Sequence, residues 1–385
     1  MDIQSFTLLF DRPSPFEPPP DYARLRADGP VLRTITASGV PAWVVIGADT
    51  AQQVLSDRRF AITEPGAPVD AESLLSDGPE HARLRRVIAK GLDSRTVAAL
   101  RARFETAAAG FVADLRRAGP PAELVSGLAR PLILDMITEL LGVPVDDRAK
   151  FYGWAEAASM SPVDAESYAE TWMELMGFLS GLIEARRATP GTDLLSGLVA
   201  AQTSTEDGLN DRELLLAAVS LLSGGQLTTV NALSIGLIKL LDAGRLAGLD
   251  DRAATSVAVE EMLRHQAGIS GEAFPRWALQ DVEVGGATIA AGDMVIVRFE
   301  AANRDPERFP DPDRFDPARP PRPNLRFGHG PHRCIGAAMA RAVLVAAVGA
   351  LATQLPGLRL VGRPQDIPWT DNPLDGGPAE LPVTW

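Results

Sequence analysis

Read only as apolar and polar positions, the chain changes its period along its length. Val31–Thr36 and Ala42–Ile46 alternate or run β-branched around Ser38-Gly39, which predicts a hairpin. From about Pro79 to Asp242 the pattern is helical. Ala-, Leu- and Arg-rich segments are interrupted at Gly119-Pro120-Pro121, Gly142-Val143-Pro144 and Pro190-Gly191. The most apolar stretch, Leu214–Leu241, lies in a helix predicted over about Asp211–Asp242 and carries Gln226, Thr228, Thr229, Asn231 and Lys239. A helix apolar all round is either membrane-spanning or the core of a large domain. Polar residues in mid-span, where lipid would penalise them, favour the core. Short strands are predicted at Val282–Val284 and Met294–Phe299, then an irregular Pro- and Asp-rich stretch, Asn303–Asn324. A last helix, about Ala337–Leu355, precedes a C-terminal strand-and-turn segment. No repeat or linker divides the pattern, so the expectation is one domain over 1–385, mainly α with small sheets, of α+β class.

Charge and cysteine content narrow the picture. The chain has 385 residues and a net charge of −13, which argues against nucleic acid or an anionic membrane as the main partner. Its one cysteine rules out an internal disulfide and fits a cytoplasmic location. Met1–Phe10 has no basic region and does not read as a secretory signal. Residues 13–20 hold five prolines and read as an extended arm.

The chemistry centres on that cysteine, in Phe327-Gly328-His329-Gly330-Pro331-His332-Arg333-Cys334-Ile335-Gly336. Three glycines allow close backbone approach and positive φ. A thiolate needs electropositive surroundings, and the N-terminus of the following helix supplies them, with His332 and Arg333 as further donors. The alternatives are an inert structural cysteine, or zinc held by His329, His332 and Cys334, for which a fourth ligand is missing.

The segment matches the haem-binding loop of the cytochrome P450 family, F-G-x-G-x-H-x-C-x-G, at every fixed position. The resemblance implies a triangular-prism fold in which a long central helix and small sheets enclose haem b. Cys334 would be the axial ligand, in a loop built by Phe327, Gly328 and Gly336. Three further segments agree. Glu261-Met262-Leu263-Arg264 resembles the family's E-x-x-R, ahead of the meander-like Asn303-Arg304-Asp305-Pro306-Glu307-Arg308-Phe309. It implies a structural network with Arg304 or Arg308 as third member. His81-Ala82-Arg83-Leu84-Arg85 resembles H-x-x-x-R, whose two residues meet haem propionates, with Arg276 and His332 aligned to the other donors. Arg83, Arg86 and Lys90 would project to the opposite, solvated side as a docking stripe.

Ser223-Gly224-Gly225-Gln226-Leu227-Thr228-Thr229 resembles the family's oxygen-binding groove. Gly224 and Gly225 would make room for dioxygen, Thr228 would donate toward it, and water ordered by Thr228 with Gln226 would carry protons. Leu227 stands where the family carries an acid, so the acid–alcohol pair is incomplete. The plainer reading is a helix in which Thr228 bonds back to a carbonyl one turn earlier.

The implied activity is reductive activation of dioxygen to oxidise, chiefly hydroxylate, an apolar natural-product intermediate. Electrons would come from NAD(P)H through a separate ferredoxin reductase and ferredoxin. Candidate pocket residues are Ile62, Leu74, Met160, Ile269 and Leu374. Two rivals remain open: oxidative radical coupling of aromatic or diketopiperazine substrates, and a non-catalytic haem sensor.

Overall fold

The structure is a computed structural model describing residues 6–7, 17–19, 21–36, 38–68, 72–159, 165–202, 208–266, 274–370 and 376–385. Helices among them are α1 (Asp21–Leu25), α2 (Ala48–Ser56), α3 (Gly78–Lys90), α4 (Ser94–Ala118), α5 (Arg130–Leu141) and α6 (Arg148–Ser159). They continue with α7 (Ala165–Ala188), α8 (Leu194–Ala201), α9 (Asp211–Asp242), α10 (Arg252–His265), α11 (Phe299–Ala302) and α12 (Ala337–Gln354). The strands are β1 (Phe6–Thr7), β2 (Val31–Ile35), β3 (Pro41–Val45), β4 (Phe60–Ala61), β5 (Ala122–Glu123) and β6 (Arg276–Ala278). They end with β7 (Val282–Val284), β8 (Ala287–Ile289), β9 (Met294–Val297), β10 (Arg359–Leu360) and β11 (Pro382–Thr384).

The predicted hairpin is β2–β3, with Val31 opposite Val45 and Ile35 opposite Pro41. A strand from the other end of the helical region, β9, runs parallel to β3 and completes the sheet order β1-β2-β3-β9-β6-β4. The helical region is thus inserted between neighbouring strands of one sheet. Strand β9 stops at Val297 rather than Phe299. There Arg298 turns inward to donate to the Tyr22 hydroxyl at 2.7 Å and the Glu300 carboxylate at 2.9 Å, and α11 begins.

Helix α9 runs through the main core, packed by α5, α6, α7 and α10, while α12 lies along α4. It starts on a capping box in which Asn210 accepts from the Glu213 amide and Glu213 accepts from the Asn210 amide. Its apolar run is buried inside the protein, with Leu214, Leu222, Leu233 and Leu237 at most 2% exposed. Lys239, in the last turn, is buried too and reaches Glu17 at 3.2 Å, and Gln226, Thr229 and Asn231 are buried within the protein. Helix α9 continues through Gly224 and Gly225, held by packing that offsets the roughly 1 kcal/mol each costs relative to alanine.

Candidate active site around Cys334

The Cys334 loop is closed by its own backbone: the Cys334 amide donates to the Phe327 carbonyl at 2.7 Å. Gly328 and Gly330 have φ of 67° and 69°, in the left-handed region that favours glycine. At Gly330 a Cβ would lie 2.2 Å from the Leu55 carbonyl oxygen at the end of α2. Helix α12 begins three residues after the cysteine, at Ala337. The thiol is accessible. Burial pushes its pKa up; the Gly336 amide, Arg85, Arg333 and Arg326 work against that by favouring the thiolate.

Helix α3 faces this loop. His81 is 3% exposed and stacks on His332 with ring centroids 4.2 Å apart, and its Nε2 has no hydrogen-bond partner. Burial first, then the neighbouring His332 and Arg85, lowers its pKa to about 4. Arg85 donates to the Arg333 carbonyl. Arg276, in β6, is buried and, among the described residues, donates to the carbonyls of Phe274 and Pro275, at 3.0 and 3.1 Å. Burial lowers its pKa and Asp77 opposes that. The structure thus gathers His81, Arg85 and His332 at the Cys334 loop, with Arg276 close enough to feel Asp77. An orphaned imidazole nitrogen and buried guanidinium groups beside an accessible sulfur fit a metal macrocycle bearing carboxylates. The zinc alternative fails: no cluster of three His, Cys, Asp or Glu side chains able to hold a metal exists among the described residues.

On α9, a Cβ built on Gly224 would meet nothing within 4 Å, whereas one on Gly225 would touch Ile137 of α5 at 3.7 Å. Gly224 borders open space, and Gly225, half-buried, makes an ordinary contact with Ile137. Thr228 donates to the Gly224 carbonyl at 2.7 Å, as the plainer reading predicted. Gln226 is 5% exposed and lies about 200° round the helix from both Gly224 and Thr228, so it is not part of that surface. Leu227 is half-buried.

The Glu261–Arg264 pair is buried and bidentate, at 2.7 and 2.8 Å. Arg264 also donates to the carbonyls of Asn303 and Pro312, at 2.9 and 2.8 Å. The third member of the network is Arg319, the second arginine on Glu261 at 3.2 Å, rather than Arg304 or Arg308. Arg304 is drawn instead to Asp313 and the His265 ring and carbonyl. Arg308 reaches Asp49 and Gln52 of α2. Sequence reasoning looked for the third member inside the meander; it lies in the irregular segment beyond, brought back by the chain reversal at Pro310–Arg319. A second brace was missed. Arg341 of α12 pairs with Glu260 and lies 4.5 Å over the Phe327 ring, while Asn303 Oδ1 accepts from the Leu325 amide at 2.6 Å. These contacts fasten α10 and the meander to the base of the Cys334 loop.

The basic stripe is also revised. Arg83 does not face solvent: it pairs with Glu80 and Glu213 and donates to the Gly208 carbonyl, clamping α3 to the start of α9. Arg86 and Lys90 are exposed. Ile62 is half-buried with its amide on Asp77, and Leu74 packs against the main core. Met160, Ile269 and Leu374 lie outside the described residues.

An accessible thiol at a helix start, framed by donors suited to carboxylates, defines a haem-thiolate oxidoreductase. The comparisons with known proteins agree. A family model described as cytochrome P450 matches residues 248–351. Nocardicin C N-oxygenase of Nocardia uniformis subsp. tsuyamanensis is 40% identical over 382 residues, 95% of each chain. Cytochrome P450 monooxygenase PikC of Streptomyces venezuelae is 42% identical over 384 residues, 96% of this chain and 91% of that one. The crystal structure of the LnmA cytochrome P450 hydroxylase of Streptomyces atroolivaceus S-140 superposes with a TM-score of 0.91 at 35% identity, covering 99% of this chain and 100% of the other. The chain belongs to the cytochrome P450 family; it is a monooxygenase-type enzyme that uses haem-thiolate iron and dioxygen.

Proposed function

We propose that this enzyme oxidises, chiefly hydroxylates, an apolar natural-product intermediate in the cytoplasm, with haem b as its cofactor. The observation that carries the reading is the accessible Cys334 sulfur set beside the unpartnered His81 Nε2, with Arg85 and His332 at the same loop. Bound there, haem supplies reductive activation of dioxygen, a chemistry the side chains cannot perform. The chain's own groups hold and tune it. Cys334 supplies the thiolate, kept in place by the Phe327 carbonyl and favoured by the Gly336 amide. His81, Arg85, Arg276 and His332 would receive the propionates. On α9, Gly224 leaves space and Thr228 offers the hydroxyl that can order water, once it leaves the Gly224 carbonyl. The names of the relatives, an N-oxygenase and a monooxygenase among them, support oxygen insertion into a small organic substrate rather than gas sensing.

Electrons would come from NAD(P)H through a ferredoxin reductase and a ferredoxin, docking near the exposed Arg86 and Lys90 of α3. The incomplete acid–alcohol pair at Leu227-Thr228 favours one second reading, radical coupling of aromatic or diketopiperazine substrates, because coupling does not require oxygen insertion. The test is a screen of natural-product intermediates for a Soret shift, then turnover with ferredoxin, ferredoxin reductase and NADPH followed by mass spectrometry. A product heavier by one oxygen supports hydroxylation. A dimer lighter by two hydrogens would replace it with coupling. A pyridine haemochrome spectrum other than that of haem b would overturn the cofactor assignment.

A further inference from the structure

Asp77 lies just before α3, whose first residue Gly78 has φ of 88°, and its side chain makes no hydrogen bond to the helix. Its two carboxylate oxygens are used elsewhere. Oδ1 accepts from His332 Nε2 at 2.8 Å, across 255 residues of sequence, and Oδ2 accepts from the Ile62 amide at 2.7 Å and contacts the Thr63 hydroxyl at 3.5 Å. One carboxylate thus joins the segment before α3, the Ile62–Thr63 backbone and the Cys334 loop. Nε2 of His332 is committed to Asp77, so only the Nδ1 edge of that ring is open to another group. The ring is further fixed by its stack on His81. The hydrogen bonds from His332 and the backbone outweigh the burial that would raise the Asp77 pKa, so the group is an anion and an acceptor at both oxygens.

We propose that Asp77 is a positioning residue for the haem: it sets the rotation of the His332 ring so that its free edge can meet a propionate, and it ties the Ile62–Thr63 backbone to the same point. This rests on the haem reading above. The carboxylate touches neither sulfur nor substrate and acts through His332. It also fixes the start of the segment that carries the pocket candidate Ile62, so haem retention and the placement of that segment depend on one side chain.

The discriminating variant is Asp77→Ser. α3 does not use the Asp77 side chain, so it keeps its start, and the serine side chain is too short to bridge Ile62 and His332. The readout is the rate of haem transfer from the ferric holoenzyme to excess apomyoglobin, with thermal unfolding of the apoprotein as a control. Asp77→Ser should speed haem loss about tenfold, the equivalent of one charge-assisted hydrogen bond, and should lower apoprotein stability by the same amount with His332 present or replaced, since the Ile62 amide loses its acceptor in both. His332→Ala should speed haem loss by a similar factor. In the His332→Ala background, Asp77→Ser should add nothing to haem loss, since the group through which it acts is gone. Multiplying effects in the double variant, or wild-type haem loss in Asp77→Ser, would overturn the proposal. Should Asp77→Ser not fold, Asp77→Asn serves in the same cycle, because an amide offers one acceptor for two donors. A wild-type chain that took up no haem would overturn the functional reading as well; a haem-replete wild type with an indifferent Asp77→Ser removes only this inference.

Discussion

The buried pair Glu261–Arg264 permits a ranked stability prediction. Both residues are 2% exposed. In Glu261→Ala, Arg264 keeps carbonyl partners at Asn303 and Pro312 but loses both carboxylate contacts, Arg319 loses its anion, and the Asp316 amide loses its acceptor at 2.9 Å. Leaving such a buried charge without its partner costs about 3–5 kcal/mol, a large share of the roughly 5–15 kcal/mol that separates folded from unfolded protein. Arg264→Ala falls in the same range. Arg319→Ala removes the 3.2 Å contact to Glu261 and the donations to the Pro310, Asp311 and Arg314 carbonyls, while Arg264 still neutralises Glu261, and should cost about 1–3 kcal/mol. Arg308→Ala breaks a pair whose acid, Asp49, is 89% exposed, and should cost about 0–1 kcal/mol. Urea unfolding followed by far-UV circular dichroism, with haem content measured in parallel, gives the order. Glu261→Ala within 1 kcal/mol of wild type, or Arg308→Ala as costly as Arg319→Ala, would refute the assignment of the network.

Four further outcomes are expected. Reduced wild-type enzyme with carbon monoxide should give the red-shifted Soret band of a thiolate complex, and Cys334→Ser should lose it while retaining part of its haem; an unchanged spectrum rules out Cys334 as ligand. Thr228→Ala should consume NAD(P)H and release peroxide in place of product, and Leu227→Glu should fold normally and accelerate oxygen consumption with non-native substrates; full coupling in Thr228→Ala would remove that hydroxyl from the proton route. Arg86→Glu should slow reduction by ferredoxin at low salt and weaken its salt dependence, whereas Arg83→Ala should chiefly lower the unfolding midpoint, because its partners Glu80 and Glu213 are structural. His81, held near a pKa of about 4 against 6.5 when free, stays neutral in the folded protein while the unfolded chain takes up a proton, so apoprotein stability should fall as pH drops from 6.5 toward 4; His81→Phe should flatten the melting profile in that window, and an unaltered slope would count against the burial of this imidazole.

Much of the architecture was legible because its signals are long. The 32-residue α9 runs from Asp211 to Asp242 as its apolar pattern predicts, and β2–β3 follows the alternation around Ser38-Gly39. Strands β4, β6, β8 and β10 span two or three residues, too short for a period of two to register, and exist because neighbouring strands recruit them. The Cys334 loop was legible for another reason: its glycines answer to a local demand, positive φ at 328 and 330, and local demands leave fixed spacings.

What could not be read were choices made by partners distant in sequence. A helical projection separates Arg83 from His81 and Arg85, but it cannot tell solvent from a buried acid 130 residues away, and Glu213 is that acid. The same holds for Gly225, whose neighbour is Ile137 of another helix, and for Arg319, which reaches Glu261 from outside the segment that resembled the meander. Asp77 is the instructive case. Nothing in its sequence neighbourhood points to His332, 255 residues away, yet its carboxylate accepts from that ring and from the Ile62 amide. A side chain shared between segments so far apart answers to a tertiary requirement that spacing along the chain does not record, and here that requirement lies in the loop of the thiol on which the chemistry depends.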